Sequence, residues 1–517
     1  MPQNFIEAGR EQGFLLPPDV RDWLPEDHLA WFVIDAVADL ELDAFYGAYR
    51  ADGHGRAAYE PSMMVILLLY AYATKVRSSR EIEGHCRQDV AYRVITGNLV
   101  PDHATIARFV VRHEQTLACL FGQVLELCAK AGLVRAGVIA VDGTRLSGNA
   151  SPEANRDFER LASEILAEAK ATDEAEDELY GDARGDELPE QLRTPEGRRE
   201  FFREAKRGRE QADKLNADGE DGSRGDAISE FEFDAERIVA RGQGREGWPR
   251  ESKHQLERLR SEQPDPIPRS RAGRLELAAG RLDDDLAAER RGNEAYEAYR
   301  AQGRMKDGRR FGAPPKPYTP PVVPEGKVNL TDPDSKQVKT NAGFGWVQGY
   351  NAQTVVGEGQ IVLAAEITNS TADFGQFEPM VSATLAELKD AGVTELPEVA
   401  VADAGYWNEE HMDEVTANQH IQVLIPPDGG NRDGPRPGWT GGRYDWMRSV
   451  LASENGGTTY RRRKPMIEPV FGHTKHNRGI RRFHRRGRAA VRTEWRLLMM
   501  THNLTKLHRH QTATVGA

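Results

Sequence analysis

The stretch Val138-Ile139-Ala140-Val141-Asp142-Gly143-Thr144 decides the fold that the sequence predicts. Its first four residues form a short apolar, mostly β-branched run, which is typical of a buried strand. The strand is predicted to stop at Asp142, so an acid is expected at its tip. The pattern recurs where Val399-Ala400-Val401-Ala402 precedes Asp403. If the two strands are neighbours, their acids lie close together, because adjacent strands are about 5 Å apart.

The segments between and after these acids predict an α/β domain that ends in a helix carrying a third acid. A hairpin is expected around the turn Gly357-Glu358-Gly359. The last element is a basic helix that contains Glu468. The predicted elements are strands 347–356 and 361–367, helices 377–391 and 409–417, strand 421–425 and helix 467–478.

Residues 1 to about 130 read as helical. Pro61 suits the first turn of a helix through the apolar run that follows it. After a break at Thr96-Gly97-Asn98, Asp102 is expected to cap one long helix that reaches Leu125. Two helices around a short glycine-containing turn fit either a DNA-binding helix-turn-helix or an all-helical packing domain, and both interpretations stay open.

Charge is distributed very unevenly along the chain. The net charge is −12, yet residues 441–517 carry 17 Lys and Arg against 4 Asp and Glu, which is +13, so the other 440 residues carry −25. A split of this kind indicates a nucleic-acid contact at the basic end. Residues 151–300 hold 39 acids and 27 bases, which predicts a solvated, partly helical insertion.

Composition also excludes several classes of protein. The three cysteines form no CxxC pair, which argues against a structural zinc site and a disulfide scaffold. The longest apolar run, Met63–Ala73, has 11 residues, whereas a membrane span needs about 20. No signal peptide is recognisable. We therefore expect a soluble, cytoplasmic protein without a membrane partner.

Asp142, Asp403 and Glu468 together indicate a metal-binding carboxylate cluster. A single Asp after an apolar strand is most often a turn or cap residue. Two in matching positions, with a Glu inside a strongly basic segment, are harder to explain by structure alone. Carboxylates suit hard cations such as Mg²⁺. Two such ions about 4 Å apart can activate the attacking oxygen and stabilise the leaving oxygen of a phosphodiester.

Four motifs resemble those of the DDE transposases of bacterial insertion sequences. They are Val141–Thr144, Gly349–Gln353, Ala402–Asn408 and a C-terminal block that runs from Tyr460 through Gly472 to Lys475. The last is similar to the family's Tyr–Arg–Glu–Lys block. Glu468 and Lys475 keep its spacing of six intervening residues. The Tyr-to-Glu spacing is longer by one if Arg463 is the matching Arg, so Arg463 and Lys464 are both candidates.

The resemblance implies a ribonuclease-H-like α/β catalytic domain formed by residues 131–150 and 327–517. It implies an all-helical N-terminal domain over residues 1–130, as in the front domain of these enzymes. Residues 151–326 would be the charged insertion and its proline-rich linker, similar to the insertion-sequence group called IS-eleven-eighty-two. The implied activity is metal-dependent cleavage at insertion-sequence ends and strand transfer into target DNA.

The family's cofactor and partners follow from the same resemblance. The cofactor implied is Mg²⁺, as two ions, with Mn²⁺ as a substitute. The partners implied are double-stranded DNA, both terminal inverted repeats and target, and further copies of the chain in a synaptic complex. The protein is then expected in the bacterial cytoplasm, associated with the nucleoid when bound to DNA.

The resemblance also assigns roles to individual residues. Asp142, Asp403 and Glu468 are expected to coordinate the metals and carry catalysis. Glu468, Lys475 and Arg482 recur every seven residues, which places them on one face of a continuous helix. The predicted DNA contacts, which neutralise backbone phosphates, are Arg461, Arg462, Arg463, Lys464, Lys475, Arg478, Arg481, Arg482, Arg485 and Arg486.

Two points stay open in the sequence. Tyr406-Trp407 could stack on an unpaired base or pack in the core. Asn351 and Gln353 are two residues apart and share one face of a regular strand, which could point toward the acids or away from them.

Alternative functions keep the same three acids. A ribonuclease-H-like nuclease would hydrolyse nucleic acid without strand transfer. An inactive DNA-binding protein derived from a transposase would retain the basic end without catalysis. A glycosidase built on a carboxylate pair gives no account of the basic C-terminal end.

Overall fold

The computed structural model describes residues 20–49, 57–180, 233–241, 244–305, 308–314, 316–319, 321, 323–340, 345–429 and 434–515. The chain divides into two compact units. The first comprises Met1–Asn149 and Gln337–Ala517, and the second comprises Ala150–Lys336. Among the described residues, no helix combines the length and the apolar character that a membrane crossing requires.

The elements are numbered here in chain order. The helices are α1 Leu29–Ala38, α2 Asp43–Tyr46, α3 Pro61–Ala73, α4 Ser79–Gln88, α5 Val90–Thr96, α6 His103–Arg112, α7 Glu114–Lys130, α8 Phe158–Tyr180, α9 Glu236–Arg241, α10 Gly247–Glu262, α11 Arg271–Ala301, α12 Phe377–Asp390, α13 Glu409–Gln419, α14 Gly442–Ala452, α15 Glu454–Arg461, α16 Arg463–Gly472 and α17 Arg488–Val515. The strands are β1 Arg135–Ser147, β2 Asn155–Arg156, β3 Val328–Asn329, β4 Lys336–Lys339, β5 Trp346–Glu358, β6 Val362–Thr368, β7 Val399–Val401 and β8 Gln422–Leu424.

The N-terminal helices begin and end largely where local chemistry predicts. Pro61 stands in the first turn of α3. Asp102 caps α6 by accepting from the backbone N–H of Thr105 at 3.0 Å. Gly97 closes α5 in the left-handed region with φ of 58°. The single long helix expected after Asp102 is wrong, because the chain bends at His113 and divides that segment into α6 and α7.

The central sheet has the strand order β4-β5-β1-β7-β8, and β6 pairs with β5. β5 runs antiparallel to β1 and to β6, which confirms the predicted hairpin. β1, β7 and β8 run parallel to one another, with Ala140 opposite Val401. Parallel neighbours bring their carboxyl ends to the same edge of the sheet.

β1 is longer than the sequence predicted. Its antiparallel pairing with β5 continues to Ser147, which lies opposite Gly349. Asp142 therefore lies inside the strand, opposite Thr354, and not at its tip. Only the parallel pairing with β7 stops before the acid, because β7 itself ends at Val401.

One hydrophobic core joins the N-terminal helices to the sheet. Buried side chains of α3 and α7, such as Leu68 and Phe121, belong to the same cluster as the strand residues Val141 and Val355. The long helix α17 packs against α7, α3 and β6, and its Trp495 is fully buried. The helical residues before 130 thus share their core with the sheet, within the first unit.

The helix that carries Glu468 differs from the prediction. α16 begins at Arg463, contains Pro469 and gives way to a π-helical turn over His473–Asn477. Pro469 has no N–H to donate to the carbonyl of Pro465, and the side chain of Gln360 donates to that carbonyl at 3.0 Å. Lys475 lies in the π turn and Arg482 beyond it, so the predicted single helical face with Glu468 is not formed.

The second unit is built mainly from helices. α10 packs against α11, α11 packs against α8, and the short strands β2 and β3 pair antiparallel. The Arg281 guanidinium is buried and pairs with Asp334 at 2.5 Å. The helix α8 lies in the segment for which the sequence predicted a partly helical insertion.

Candidate active site

Two acids lie side by side at one edge of the parallel strands. Asp142 follows Ala140 by two residues on β1, and Asp403 follows Val401 by two residues after β7. Because Ala140 and Val401 are directly paired, the two acids stand at the same level on neighbouring strands. Their charges interact with each other. The structure therefore brings together the pair that the sequence predicted.

Backbone and side-chain donors fix both carboxylates. Asp142 Oδ1 accepts from the N–H of Gly143 at 2.8 Å, and its Oδ2 accepts from Arg463 Nη1 at 2.7 Å. Asp403 Oδ1 accepts from the N–H of Gly405 at 2.8 Å. The ion pair is largely shielded, since the exposed fractions of the Arg463 and Asp142 side chains are 11% and 18%.

A third acid of the site, Asp373, was missed by the sequence analysis. It lies between β6 and α12, and its Oδ1 accepts from Asn351 Nδ2 at 2.8 Å and from Gln353 Nε2 at 3.0 Å. The open question about Asn351 and Gln353 is thus resolved, because both side chains are buried on the face of β5 that meets this acid. Their shared strand face was the one signal that could have indicated an acid nearby.

Burial and like charge make these acids costly to ionise. The pKa of Asp142 is raised to about 6, mainly by burial; the ion pair with Arg463 opposes this increase and the charge of Asp403 adds to it. Burial also raises the pKa of Asp403, while the Gly405 N–H opposes this and Asp373 adds to it. A cation placed among the carboxylates would reverse this effect by favouring the charged forms.

Glu468 lies on the helix that packs over this part of the sheet, since α16 contacts β1 and β5. Its side chain is exposed, whereas the preceding residue, Ile467, is buried. Glu468 comes five positions after Arg463 along α16, about 7.5 Å of axial rise. Among the described residues, no three His, Cys, Asp or Glu side chains are arranged to hold a metal ion. The structure thus pairs Asp142 with Asp403, and among the described residues Glu468 does not complete a three-carboxylate cluster with them.

The donor chemistry of the site fits a hard divalent cation. Carboxylate oxygens are what Mg²⁺ prefers, and it usually keeps several waters and binds only one or two protein carboxylates besides substrate phosphates. Asp142 and Asp403 supply such a pair. The guanidinium of Arg463 already occupies one cationic position beside Asp142.

Two basic residues of the C-terminal block reach the site. Arg463 contacts Asp142, while Lys464 is exposed, so Arg463 is the one of the two that takes part in the site's hydrogen bonding. Lys475 Nζ lies 3.4 Å from the carbonyl oxygen of Arg145. Burial and the charge of Arg145 lower the pKa of Lys475, and the charge of Asp142 opposes this.

The remaining predicted DNA contacts fall into two groups. Lys464 and Arg481 are exposed, as are Arg461, Arg462, Arg482 and Arg486, although the side chains of these last four also bond to other parts of the chain. Arg485 is half-buried and pairs with Glu114.

Arg478 requires a correction. Its guanidinium is buried and donates to the carbonyls of Leu498 and Tyr72 and to the Thr501 hydroxyl, at 2.6 to 2.8 Å. These contacts tie α17 and α3 to the turn after Asn477. A guanidinium enclosed in this way does not reach a DNA phosphate, so the predicted DNA contact at Arg478 is not supported and its role is structural.

Tyr406 and Trp407 pack in the core. Tyr406 is fully buried and its hydroxyl donates to Gln353 Oε1. Trp407 is 4% exposed and stacks against Tyr444 with ring centroids 5.4 Å apart. Of the two open interpretations, base stacking is excluded for this arrangement by burial.

The raised pKa of Asp142 predicts a pH-dependent stability. Because the folded pKa is about 6 and the unfolded value is about 3.9, the contribution of Asp142 is fully present below about pH 4 and is lost as the pH rises toward 6. In EDTA, the free energy of unfolding of Asp142→Asn relative to the unaltered protein should therefore rise between pH 4.5 and 7, by about 1 to 3 kcal/mol. Urea unfolding followed by tryptophan fluorescence measures this difference.

Asp428→Asn is the matched control, because a hydrogen bond from Arg448 holds the pKa of Asp428 below its ordinary value. Its stability relative to the unaltered protein should stay constant over the same pH range. A constant difference for Asp142→Asn as well would contradict the assigned burial of charge at Asp142.

Comparison with known protein families agrees with the resemblance in the sequence. Residues 18–112 match the family described as Transposase domain (DUF772), and residues 440–508 match the family described as Transposase DDE domain. The second match contains Arg463, Glu468 and Lys475, while Asp142 and Asp403 lie outside both. No curated protein and no solved structure matches the chain significantly. The chain thus matches a transposase domain near its N-terminus and a transposase DDE domain near its C-terminus, which is consistent with a DDE transposase of the insertion-sequence type.

Proposed function

We propose that this protein is a metal-dependent DNA transposase that cleaves DNA at the ends of an insertion sequence and joins those ends to target DNA. The observation that carries the proposal is the pair Asp142 and Asp403, each two residues beyond the directly paired Ala140 and Val401. A basic segment of the same unit matches a transposase DDE domain. Two-metal phosphodiester chemistry uses carboxylate ligands of this kind, and basic residues beside them neutralise the DNA phosphates.

The catalytic domain is proposed to be ribonuclease-H-like. Support comes from the strand order, in which an antiparallel hairpin of β5 and β6 flanks β1 and the parallel strands β7 and β8 continue the sheet on its other side. The acids lie where the parallel pairing of β1 with β7 ends, and α/β sheets generally place their sites at that edge of parallel strands. Within the first unit, residues 1–130 are proposed to assist in recognising element ends.

Asp142, Asp403 and Glu468 are proposed to hold two Mg²⁺ ions, with Mn²⁺ as a substitute. The metals would supply an activated oxygen nucleophile and stabilise the leaving oxygen. Asp142 and Asp403 offer their carboxylates from the sheet. Glu468 offers an exposed carboxylate from α16, the helix that packs on β1 and β5.

Lys475 and Arg463 are proposed to bind the phosphate at the cleavage site. Both lie close enough to Asp142 to interact with its charge. Lys475 is half-buried, and a partly desolvated ammonium interacts more strongly with a phosphate than an exposed one does. The exposed basic residues farther out would neutralise the phosphates on either side without reading sequence.

The partners follow from the reaction. Two element ends must be held together for joining, so a dimer or higher assembly on double-stranded DNA is proposed. The DNA substrate in turn places the site of action in the bacterial cytoplasm, at the nucleoid.

Cleavage of DNA carrying the flanking element end tests the proposal. With Mg²⁺ or Mn²⁺, Asp142→Ala, Asp403→Ala and Glu468→Ala should each reduce cleavage by at least about 100-fold, which corresponds to about 2.7 kcal/mol of lost transition-state stabilisation, while a gel-shift assay shows DNA binding retained. Asp428→Ala, which removes an acid paired with Arg448 instead, should cleave normally.

Full cleavage by any one of the three variants would remove that residue from the ligand set. Absence of cleavage by the unaltered protein, on authentic ends, would favour the inactive DNA-binding alternative.

The salt dependence of DNA binding provides a second prediction. Lys464→Ala and Arg481→Ala remove exposed cations, and each should reduce the slope of log K against log salt by about 0.9, the value for one phosphate contact. Fluorescence anisotropy with labelled duplex from 50 to 250 mM NaCl measures the slope. Lys389→Ala, an exposed lysine at the end of α12, is the matched control and should leave it unchanged. Slopes that stay the same in all three variants would place DNA elsewhere on the surface.

A further inference from the structure

Buried side chains fix the carboxylate of Asp373, although the residue lies in the connection between β6 and α12. Two buried amides, Asn351 Nδ2 and Gln353 Nε2, both donate to its Oδ1 at 2.8 and 3.0 Å. The exposed fractions of Asn351 and Gln353 are 0% and 1%. Gln353 is in turn fixed by the buried hydroxyl of Tyr406. Three buried polar side chains thus set the orientation of one carboxylate.

Gly143 and Gly405 leave room for Asp373 beside the backbone that carries Asp142 and Asp403. A Cβ on Gly143 would meet Gln353 Nε2 first and would lie 2.7 Å from Asp373 Oδ1 and 2.8 Å from Asn351 Oδ1, so a side chain at position 143 would displace these polar groups. A Cβ on Gly405 would lie 3.0 Å from Asp403 Oδ1 and 3.7 Å from Asp373 Oδ2. Gly143 follows Asp142 directly and Gly405 follows Asp403 by two residues. Asp373 therefore lies against the backbone that carries both acids.

The two oxygens of Asp373 have different surroundings. Oδ1 is committed to the two amides, whereas Oδ2 lies toward Gly405 and is 3.6 Å from Arg145 Nη2. That separation is long for a charge-assisted hydrogen bond. The anchoring of Oδ1 thus directs Oδ2 toward the space beside Asp403, where it is available to a further cation.

Asn351 supplies an independent sign of a missing ligand. Its Oδ1 is fully buried and has no hydrogen-bond partner among the described residues. Buried carbonyl oxygens are rarely left unpaired, and this one lies beside the same Gly143 that Asp373 touches. An unpaired acceptor at the edge of an acidic cluster fits a bound cation with its water shell, which would donate to it.

We propose that Asp373 is a further acidic ligand of the site and that its Oδ2 closes on the divalent cation that Asp142 and Asp403 bind. This step requires the three carboxylates to move together, since among the described residues no three acids are already arranged around a metal ion. The proposal rests on the proposed function. It adds a fourth acid to the three predicted from the sequence and supplies a further ligand at the sheet edge. Its charge also interacts with those of Asp142 and Asp403, as expected for ligands of one cation.

Iron-directed backbone cleavage of the unaltered full-length protein tests the placement without any variant. Fe²⁺ is added in place of Mg²⁺, and ascorbate with peroxide generates hydroxyl radicals at the bound ion. Cuts are expected near residues 142, 373 and 403, which give fragments of clearly different length, and excess Mg²⁺ should suppress all three. Cuts near 142 and 403 without one near 373 would overturn the proposal.

Mn²⁺ binding by Asp373→Asn provides the second test. Because the variant keeps the shape of the side chain and loses only the free carboxylate oxygen, Mn²⁺ affinity measured by electron paramagnetic resonance should fall by at least about 10-fold, the loss typical of even an indirect ligand contact. Asp428→Asn is the matched control and should bind Mn²⁺ as the unaltered protein does. Thermal unfolding in EDTA checks that both variants are folded.

The outcomes distinguish a failure of the role proposed for Asp373 from a failure of the proposed function. If Asp142→Asn loses Mn²⁺ and Asp373→Asn retains it, the role of Asp373 is overturned and the proposed function stands. If the unaltered protein binds no Mn²⁺ and shows no iron-directed cuts, both are overturned. A Mn²⁺ affinity that falls for Asp373→Asn and holds for Asp428→Asn supports Asp373 as a ligand.

Discussion

The parallel pairing of β1 with β7 is the constraint on which the rest of the site depends. With Ala140 opposite Val401, Asp142 and Asp403 are brought level although more than 250 residues separate them in the chain. A slip of one residue would turn one acid to the other face of the sheet, since side chains alternate along a strand. The core that the N-terminal helices, the sheet and α17 share holds this register. The second unit is formed by Ala150–Lys336. Since β1 ends before Ala150, the insertion does not interrupt the pairing of β1 with β7.

The electrostatics of the site oppose folding and favour a ligand. Three acids whose charges interact are partly buried, and burial raises the pKa values of Asp142 and Asp403. Arg463 offsets part of this cost through its ion pair with Asp142, and the amides of Asn351 and Gln353 offset another part at Asp373. Groups with pKa values perturbed by burial and specific charge partners are typical of functional sites. The cation that the acids attract would relieve the repulsion that the folded chain retains.

Much of the site was predicted from the sequence, and the features that the prediction missed have physical causes. β1 and β7 were predicted from apolar runs that end near an acid. Buried strands need such runs, and an apolar run can be recognised from neighbouring residues alone. Asp373 could not be found in this way, since it lies in a connection and depends on amides of β5 that tertiary pairing brings to it.

The length of β1 was underestimated because pairing with β5, and not the local composition, carries it past Asp142. The helical face of Glu468, Lys475 and Arg482 failed since the π turn after Gly472 changes the period. Arg478 was grouped with DNA contacts because charge alone does not distinguish a solvated guanidinium from one that ties buried carbonyls together.

The measurement that tests the central claim most directly is strand transfer by a pre-cleaved element end. A labelled duplex with a free 3′-hydroxyl at the element terminus is incubated with the full-length protein, a supercoiled plasmid and Mg²⁺. The account predicts covalent joining of the label to the plasmid, and loss of that product with Asp142→Ala. DNA hydrolysis without any joined product would contradict it and would identify the protein as a nuclease that shares the transposase site.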